Sequence, residues 1–208
     1  GIVLMLLLTS MLSSAFIIQP AKAEWTGTVY IRADGSIDPA GAPIVTYDNI
    51  IYTLTDNIVS DAEGIVVERD NIVVDGAGYT IQGTRDWPYM GVDLTGRSNV
   101  TIKNAKINTF YYGILLEYSS NNTVVGNNIT ANNAHGIYLY SSSNNRVYHN
   151  NFVDNDQQVY DESWDTPEVS PSINVWDDGY PSGGNYWDDH TDVHNYSDPL
   201  NHPLSMLF

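Results

Sequence analysis

The sequence predicts an all-β fold, a short right-handed parallel β-helix of about four coils with N- and C-terminal caps. Three observations carry that expectation. The middle of the chain repeats itself at a spacing of 22 to 23 residues, its apolar residues alternate like those of a strand, and the intervening segments are rich in Asn, Ser and Gly.

The repeat can be read directly. Gly113-Ile114-Leu115-Leu116 matches Gly136-Ile137-Tyr138-Leu139, and Ser119-Ser120-Asn121-Asn122 matches Ser142-Ser143-Asn144-Asn145, at an offset of 23 residues. An earlier copy starts at Gly91, and a looser one starts at Gly64 with an insertion around Thr84 to Met90. The alternation within G-I-x-L is a strand period, while Asn, Ser and Gly suit tight turns and left-handed backbone positions. Three short strands and three turns make one coil, and coils stack at about 4.8 Å. Equivalent residues then pile into inward ladders. One is Ile65, Val92, Ile114 and Ile137; a second is Val67, Leu94, Leu116 and Leu139; a third is Val74, Ile102, Val124 and Val147. Asn71, Asn99, Asn121 and Asn144 fall at equivalent turns, as do Asn127 and Asn150. An Asn amide there can donate to one neighbouring coil and accept from the other, so the Asn richness reads as architecture.

Around these coils the chain divides into four segments. Residues 1–23 read as an export signal, with an apolar run from Ile2 to Ile18 and Ala21-Lys22-Ala23 as a small-x-small cleavage pattern; its start is expected to be incomplete. Residues 24–63 form an N-terminal β cap and residues 64–158 the coils. Residues 159–208 form an acidic, Trp- and Tyr-rich C-terminal cap and tail, in which Trp164, Trp176 and Trp187 cover the open end of the core.

Composition narrows the function. The chain has 208 residues and a formal net charge of -17, from 8 Lys and Arg against 25 Asp and Glu. No basic cluster exists, which excludes a nucleic-acid partner and disfavours anionic membranes and polyanions. The absence of cysteine excludes disulfides, thiolate metal sites and a cysteine nucleophile. The expected location is secreted, periplasmic or cell-surface, with no membrane contact once the leader is removed.

The run from Asn122 to Asn132 followed by Gly136 to Leu139 resembles the NosD-like family of parallel β-helix repeats. These are also called carbohydrate-binding and sugar-hydrolysis repeats and belong to the wider pectin-lyase-like fold. The tail from Ile173 to Trp187, with Trp176-Asp177-Asp178-Gly179 and Gly183-Gly184-Asn185-Tyr186-Trp187, is similar to the segment that closes many such exported proteins. The resemblance covers roughly residues 50 to 189, and the chain departs from the pattern after Asp189. It implies a periplasmic role in copper-site maturation of nitrous oxide reductase. Copper(I) carriers favour Met and Cys, and after the leader this chain has only Met90 and Met206, far apart in sequence.

Three places could carry chemistry. Tyr118, Tyr138, Tyr140 and Glu117 are expected on the outer face of the coils, where flat rings can stack on sugars while a carboxylate reaches their hydroxyls. Asp188, His190, Asp192 and His194 form the candidate metal set, for a divalent cation such as Ca, Cu or Zn. Asp70, Asp75, Asp93 and Glu117 lie on neighbouring coils, so a hydrolytic carboxylate pair is conceivable, but nothing singles one out and no catalytic residue is assigned. The function expected is therefore a non-catalytic binding or surface module for carbohydrate or another cell-surface component. The alternatives are a polysaccharide lyase or hydrolase and, by family analogy, a copper-related accessory protein.

Overall fold

The computed structural model describes residues 24–166, 168, 170–179 and 181–188. The export signal expected over residues 1–23 lies outside them, as do His190, Asp192 and His194.

Each strand is short and pairs with the equivalent strand one coil away, so three sheets run along the axis of a parallel β-solenoid. Sheet A has seven strands, in the order Trp25–Thr26, Ile58–Val59, Thr80–Gln82, Lys106–Asn108, Asn128–Thr130, Asn151–Val153 and Tyr186–Trp187. Sheet B also has seven, running from Gln157–Asp161 through His135–Tyr140, Tyr112–Glu117, Met90–Asp93 and Ile65–Val67 to Val29–Ile31 and Ile37–Asp38. Sheet C has six, from Arg146–Tyr148 through Thr123–Val125, Thr101–Lys103, Val73–Asp75 and Ile51–Leu54 to Ile44–Val45. Pairing is parallel throughout except at Ile37–Asp38 and Ile44–Val45, which close the N-terminal end as antiparallel strands. The solenoid has about five turns, slightly more than the repeat suggests. The added length comes from strands without the G-I-x-L signature: Val29–Ile31 pairs with Ile65–Val67, and Gln157–Asp161 with His135–Tyr140.

The core is the set of inward ladders. Every member of the three predicted ladders is at most 3% exposed, and the strand register places Ile65, Val92, Ile114 and Ile137 in one line. Stacked β-branched side chains fill such a narrow interior in defined rotamers.

Three buried Asn ladders hold the corners. Asn122 Oδ1 accepts from Val100 N at 2.8 Å, Asn145 Oδ1 from Asn122 N at 2.9 Å and Asn174 Oδ1 from Asn145 N at 2.9 Å. Their amides donate to the carbonyls of Arg97, Ser119 and Ser142. Asn127, Asn150 and Asn185 repeat the pattern at the second corner, and Asn132 and Asn155 at the third. The expectation is corrected by one residue at the first corner. Asn71, Asn99, Asn121 and Asn144 sit in the left-handed region, at φ of 61°, 54°, 61° and 61°, where Asn is tolerated. The next residue in the later coils, Asn122 and Asn145, points inward and satisfies the backbone.

The glycine that opens each G-I-x-L unit has a packing cause. A Cβ on Gly64, Gly91, Gly113 or Gly136 would lie 2.4, 2.6, 2.4 or 2.5 Å from a backbone oxygen of the next coil. The C-terminal end of the core is covered by aromatic rings and polar groups. Trp187 stacks on Phe152 at 4.5 Å, Trp176 is buried beside it, and Trp164 packs against the core. The buried Asp161, in register with Leu139, accepts from Ser163 N at 3.0 Å and from the hydroxyls of Ser163 and Ser172. No helix among the described residues is long and apolar enough to cross a membrane.

Candidate functional site

The outer face of sheet B carries a stack of rings. In each coil the Gly and the following Ile are both buried, as at Gly113-Ile114 and Gly136-Ile137. Two successive inward residues interrupt the strict alternation of a strand, so the residue before the Gly emerges on the outside together with the residue after the Ile. Tyr112 and His135 take the first position, in register with each other; Leu115 and Tyr138 take the second. The added strand contributes Tyr160, in register with Tyr138.

Four of these rings are nearly parallel. Tyr112 lies 5.4 Å from His135 and 4.9 Å from Tyr138, at interplanar angles of 7° and 15°. His135 lies 5.0 Å from Tyr160, and Tyr138 lies 5.8 Å from it. Tyr111 meets Tyr112 edge-on at 4.7 Å. All five rings are half-buried. Glu162, in the short 3-10 turn Glu162–Trp164, caps the stack by accepting from the Tyr138 hydroxyl at 2.5 Å.

Burial governs the protonation of the stack. It drives the Tyr138 phenol far above the ordinary tyrosine value, and the bond to Glu162 adds to the effect. Tyr112 and Tyr160 are raised chiefly by burial as well, with Glu162 contributing to both. His135 is pushed down by burial, against the opposing pull of Asp156 and Glu162, which favours its neutral imidazole. Its Nδ1 is buried and meets no hydrogen-bond partner among the described residues.

The predicted sugar-contact residues separate into two groups. Tyr138 belongs to the stack. Tyr140 and Glu117 lie in register at the far end of the same strands, where Tyr118 meets Tyr140 edge-on at 5.2 Å. A side-chain hydrogen bond to Tyr140 raises the Tyr118 phenol, which is 61% exposed. His135, Tyr160 and Glu162 are the residues that sequence reasoning passed over. The signal for His135 was its place 23 residues after Tyr112.

Three of the four inter-coil carboxylates, Asp70, Asp75 and Asp93, are already engaged. Asp70 faces Arg97 at 3.5 Å and accepts from Ser98 N; Asp75 pairs with Lys103 at 3.1 Å; Asp93 accepts from Thr95 N and its hydroxyl. Of the candidate metal set only Asp188 is described. Its two carboxylate oxygens accept from Asp154 N at 2.6 Å and from Gln158 Nε2 at 2.5 Å.

The profile of the family described as "Periplasmic copper-binding protein (NosD)" matches residues 24–192 of this chain. Neither the curated proteins nor the solved structures compared with it gave a match. Copper finds no fitting donor set among the described residues: no three His, Cys, Asp or Glu side chains gather there. His135 is enclosed by rings, and His149 Nε2 lies 3.0 Å from the Ser182 carbonyl.

Proposed function

Because the chain belongs to the NosD family, whose description is periplasmic, we propose that it is an exported, non-catalytic binding module whose outer aromatic face takes carbohydrate. The observation that carries this reading is the concentration of rings on one side of the solenoid. Tyr112, His135, Tyr138 and Tyr160 stack there, and Tyr118 and Tyr140 continue the face beside Glu117. Sugar rings present apolar C–H faces to flat aromatics, while carboxylates and phenols reach their hydroxyls. Binding is favoured over hydrolysis because Asp70, Asp75 and Asp93 are committed to ion pairs and turns.

The test is a panel of neutral and acidic polysaccharides, scoring retention and release of new chain ends together, with and without Ca²⁺. Retention without cleavage, lost in Tyr138→Ala and Tyr140→Ala, supports the reading. Cleavage sinks it in favour of an enzyme, and retention of nothing removes carbohydrate altogether.

A second reading, a metal site at Asp188, His190, Asp192 and His194, is favoured only by the family's description. Copper titration of the protein and of His190→Ala/His194→Ala is its check. Equal binding by both would discard that donor set.

A further inference from the structure

We propose that the insertion Thr84–Tyr89 is a second contact site for a neutral oligosaccharide, with Trp87 stacking on a sugar ring beyond those held by the outer face of sheet B. The inference rests on the carbohydrate reading above and extends it to ligand length and charge.

The insertion is not needed to close a coil. The coil between Gly113 and Gly136 completes its circuit without one. Yet the loop is braced. The Thr84 hydroxyl donates to Asp86 at 2.7 Å, Arg85 N to the Thr109 carbonyl at 2.6 Å and Tyr89 N to the Asp86 carbonyl at 3.1 Å. Tyr89 is anchored against the core. A loop braced in this way, with one ring anchored inside, holds its remaining residues in place on the outer side.

Trp87 stands on that outer side. It is 72% exposed, whereas Trp25, Trp164, Trp176 and Trp187 are buried or packed against the core. An exposed indole is a large apolar area left in water, and its flat face matches a pyranose ring.

The loop also joins the aromatic face. The Tyr89 carbonyl accepts from both Tyr111 N and Tyr112 N, at 3.0 and 3.3 Å, and Met90 is in register with Tyr112. Trp87 is three residues from Met90, a span of about 11 Å at most. With one coil spacing from Met90 to Tyr112, the Trp87 backbone lies within about 16 Å of the Tyr112 end of the stack, within reach of a longer ligand. The net charge of -17 disfavours uronates and sulfated glycans and so favours a neutral chain.

The experiment measures affinity for neutral oligosaccharides, from disaccharide to hexasaccharide, of each neutral polysaccharide type on the panel. Wild type, Trp87→Ala, Trp87→Phe and Tyr138→Ala are compared, with thermal unfolding as the check on folding. Trp87→Ala is expected to weaken the longer oligosaccharides about three- to tenfold while leaving the shortest binder unchanged, and Trp87→Phe to retain most of the affinity. Tyr138→Ala is expected to weaken every length. If Trp87→Ala equals wild type at all lengths, or weakens all lengths equally, the extension is overturned while the outer-face reading stands. If wild type binds no neutral oligosaccharide, the extension falls, and the outer-face reading falls with it only when the acidic polysaccharides are not retained either.

Discussion

The Tyr138 hydroxyl donates to Glu162 Oε2 at 2.5 Å, tying the penultimate coil strand of sheet B to the turn that follows its last strand. The bond holds one ring of the outer stack by its polar end and leaves the ring faces to their neighbours. Tyr138→Phe removes the donor and keeps the ring. We expect a loss of about 1 kcal/mol at neutral pH, the scale of a partly solvated bond to a charged acceptor, measured by urea unfolding.

Alkaline pH gives a sharper readout of the same bond. The folded phenol holds its proton above the ordinary tyrosine value, whereas the unfolded chain releases it near pH 10. The contribution to stability is thus complete below about pH 10 and is lost as pH rises above it. Tyr112 and Tyr160 shift the same way and add to the slope. Unfolding free energy of Tyr138→Phe should fall less steeply than wild type above about pH 10. Parallel slopes would show that Tyr138 is not the group responsible.

His135 titrates with the opposite sense. Burial among Tyr112, Tyr138 and Tyr160 lowers its folded pKa, despite Asp156 and Glu162 pulling the other way. A base with a depressed pKa contributes stability that is present above the unfolded value, about 6.5, and is lost as pH falls through the folded one. His135→Phe keeps a ring in the stack and removes the proton site. Thermal melts from about pH 7 to pH 5 should show a decline in wild type that is reduced in His135→Phe. The depressed carboxylates Asp34, Asp48 and Asp75 act at lower pH and do not mask it.

Gly113 marks a close approach of neighbouring coils. An added Cβ would meet the Gly136 oxygen at 2.4 Å, Ile129 Cγ2 at 2.8 Å and Asn132 Nδ2 at 2.9 Å, and the backbone oxygen cannot swing aside. Gly113→Ala should cost about 3 kcal/mol or more, above the usual range for a single methyl. Gly78→Ala, with open space around its Cβ but φ of 82°, should cost only about 1 kcal/mol of backbone strain. Urea unfolding of the two variants separates crowding from conformation.

The sequence made the core legible because a solenoid repeats it: the same inward positions recur in coil after coil, so Ile65, Val92, Ile114 and Ile137 announce one another. The candidate site was less legible for two physical reasons. Period-two alternation counted from Ile137 puts His135 inside, and only the consecutive burial of Gly136 and Ile137 brings it out beside Tyr138. Tyr160 lies on a strand that reads Gln157-Gln158-Val159-Tyr160-Asp161, and pairing with His135–Tyr140 makes it a coil member without any motif. Asn122 was hidden by its neighbour: two adjacent Asn residues serve different ends, Asn121 for its left-handed backbone and Asn122 for its inward amide.

The Asn ladders transmit order from coil to coil, and Asn150 tests them where water cannot substitute. It is fully buried; its Oδ1 accepts from Asn127 N and Nδ2 at 3.0 Å each, and its amide donates to the Val124 and Tyr148 carbonyls at 2.9 and 3.0 Å. Asn150→Ala strands donors and acceptors on both sides and should cost about 2–4 kcal/mol. Asn150→Asp keeps the acceptor for Asn127 but turns a charged oxygen toward two carbonyls and Asn185 Oδ1, which accepts from the native amide at 3.0 Å. At neutral pH it should therefore be worse than Ala. Acidification that protonates the carboxyl restores one donor and removes the charge, so the gap between the two variants should narrow as pH falls. Urea unfolding of both at about pH 7 and about pH 5 measures that gap. A pH-independent difference would mean that the loss comes from packing and not from the hydrogen-bond ladder.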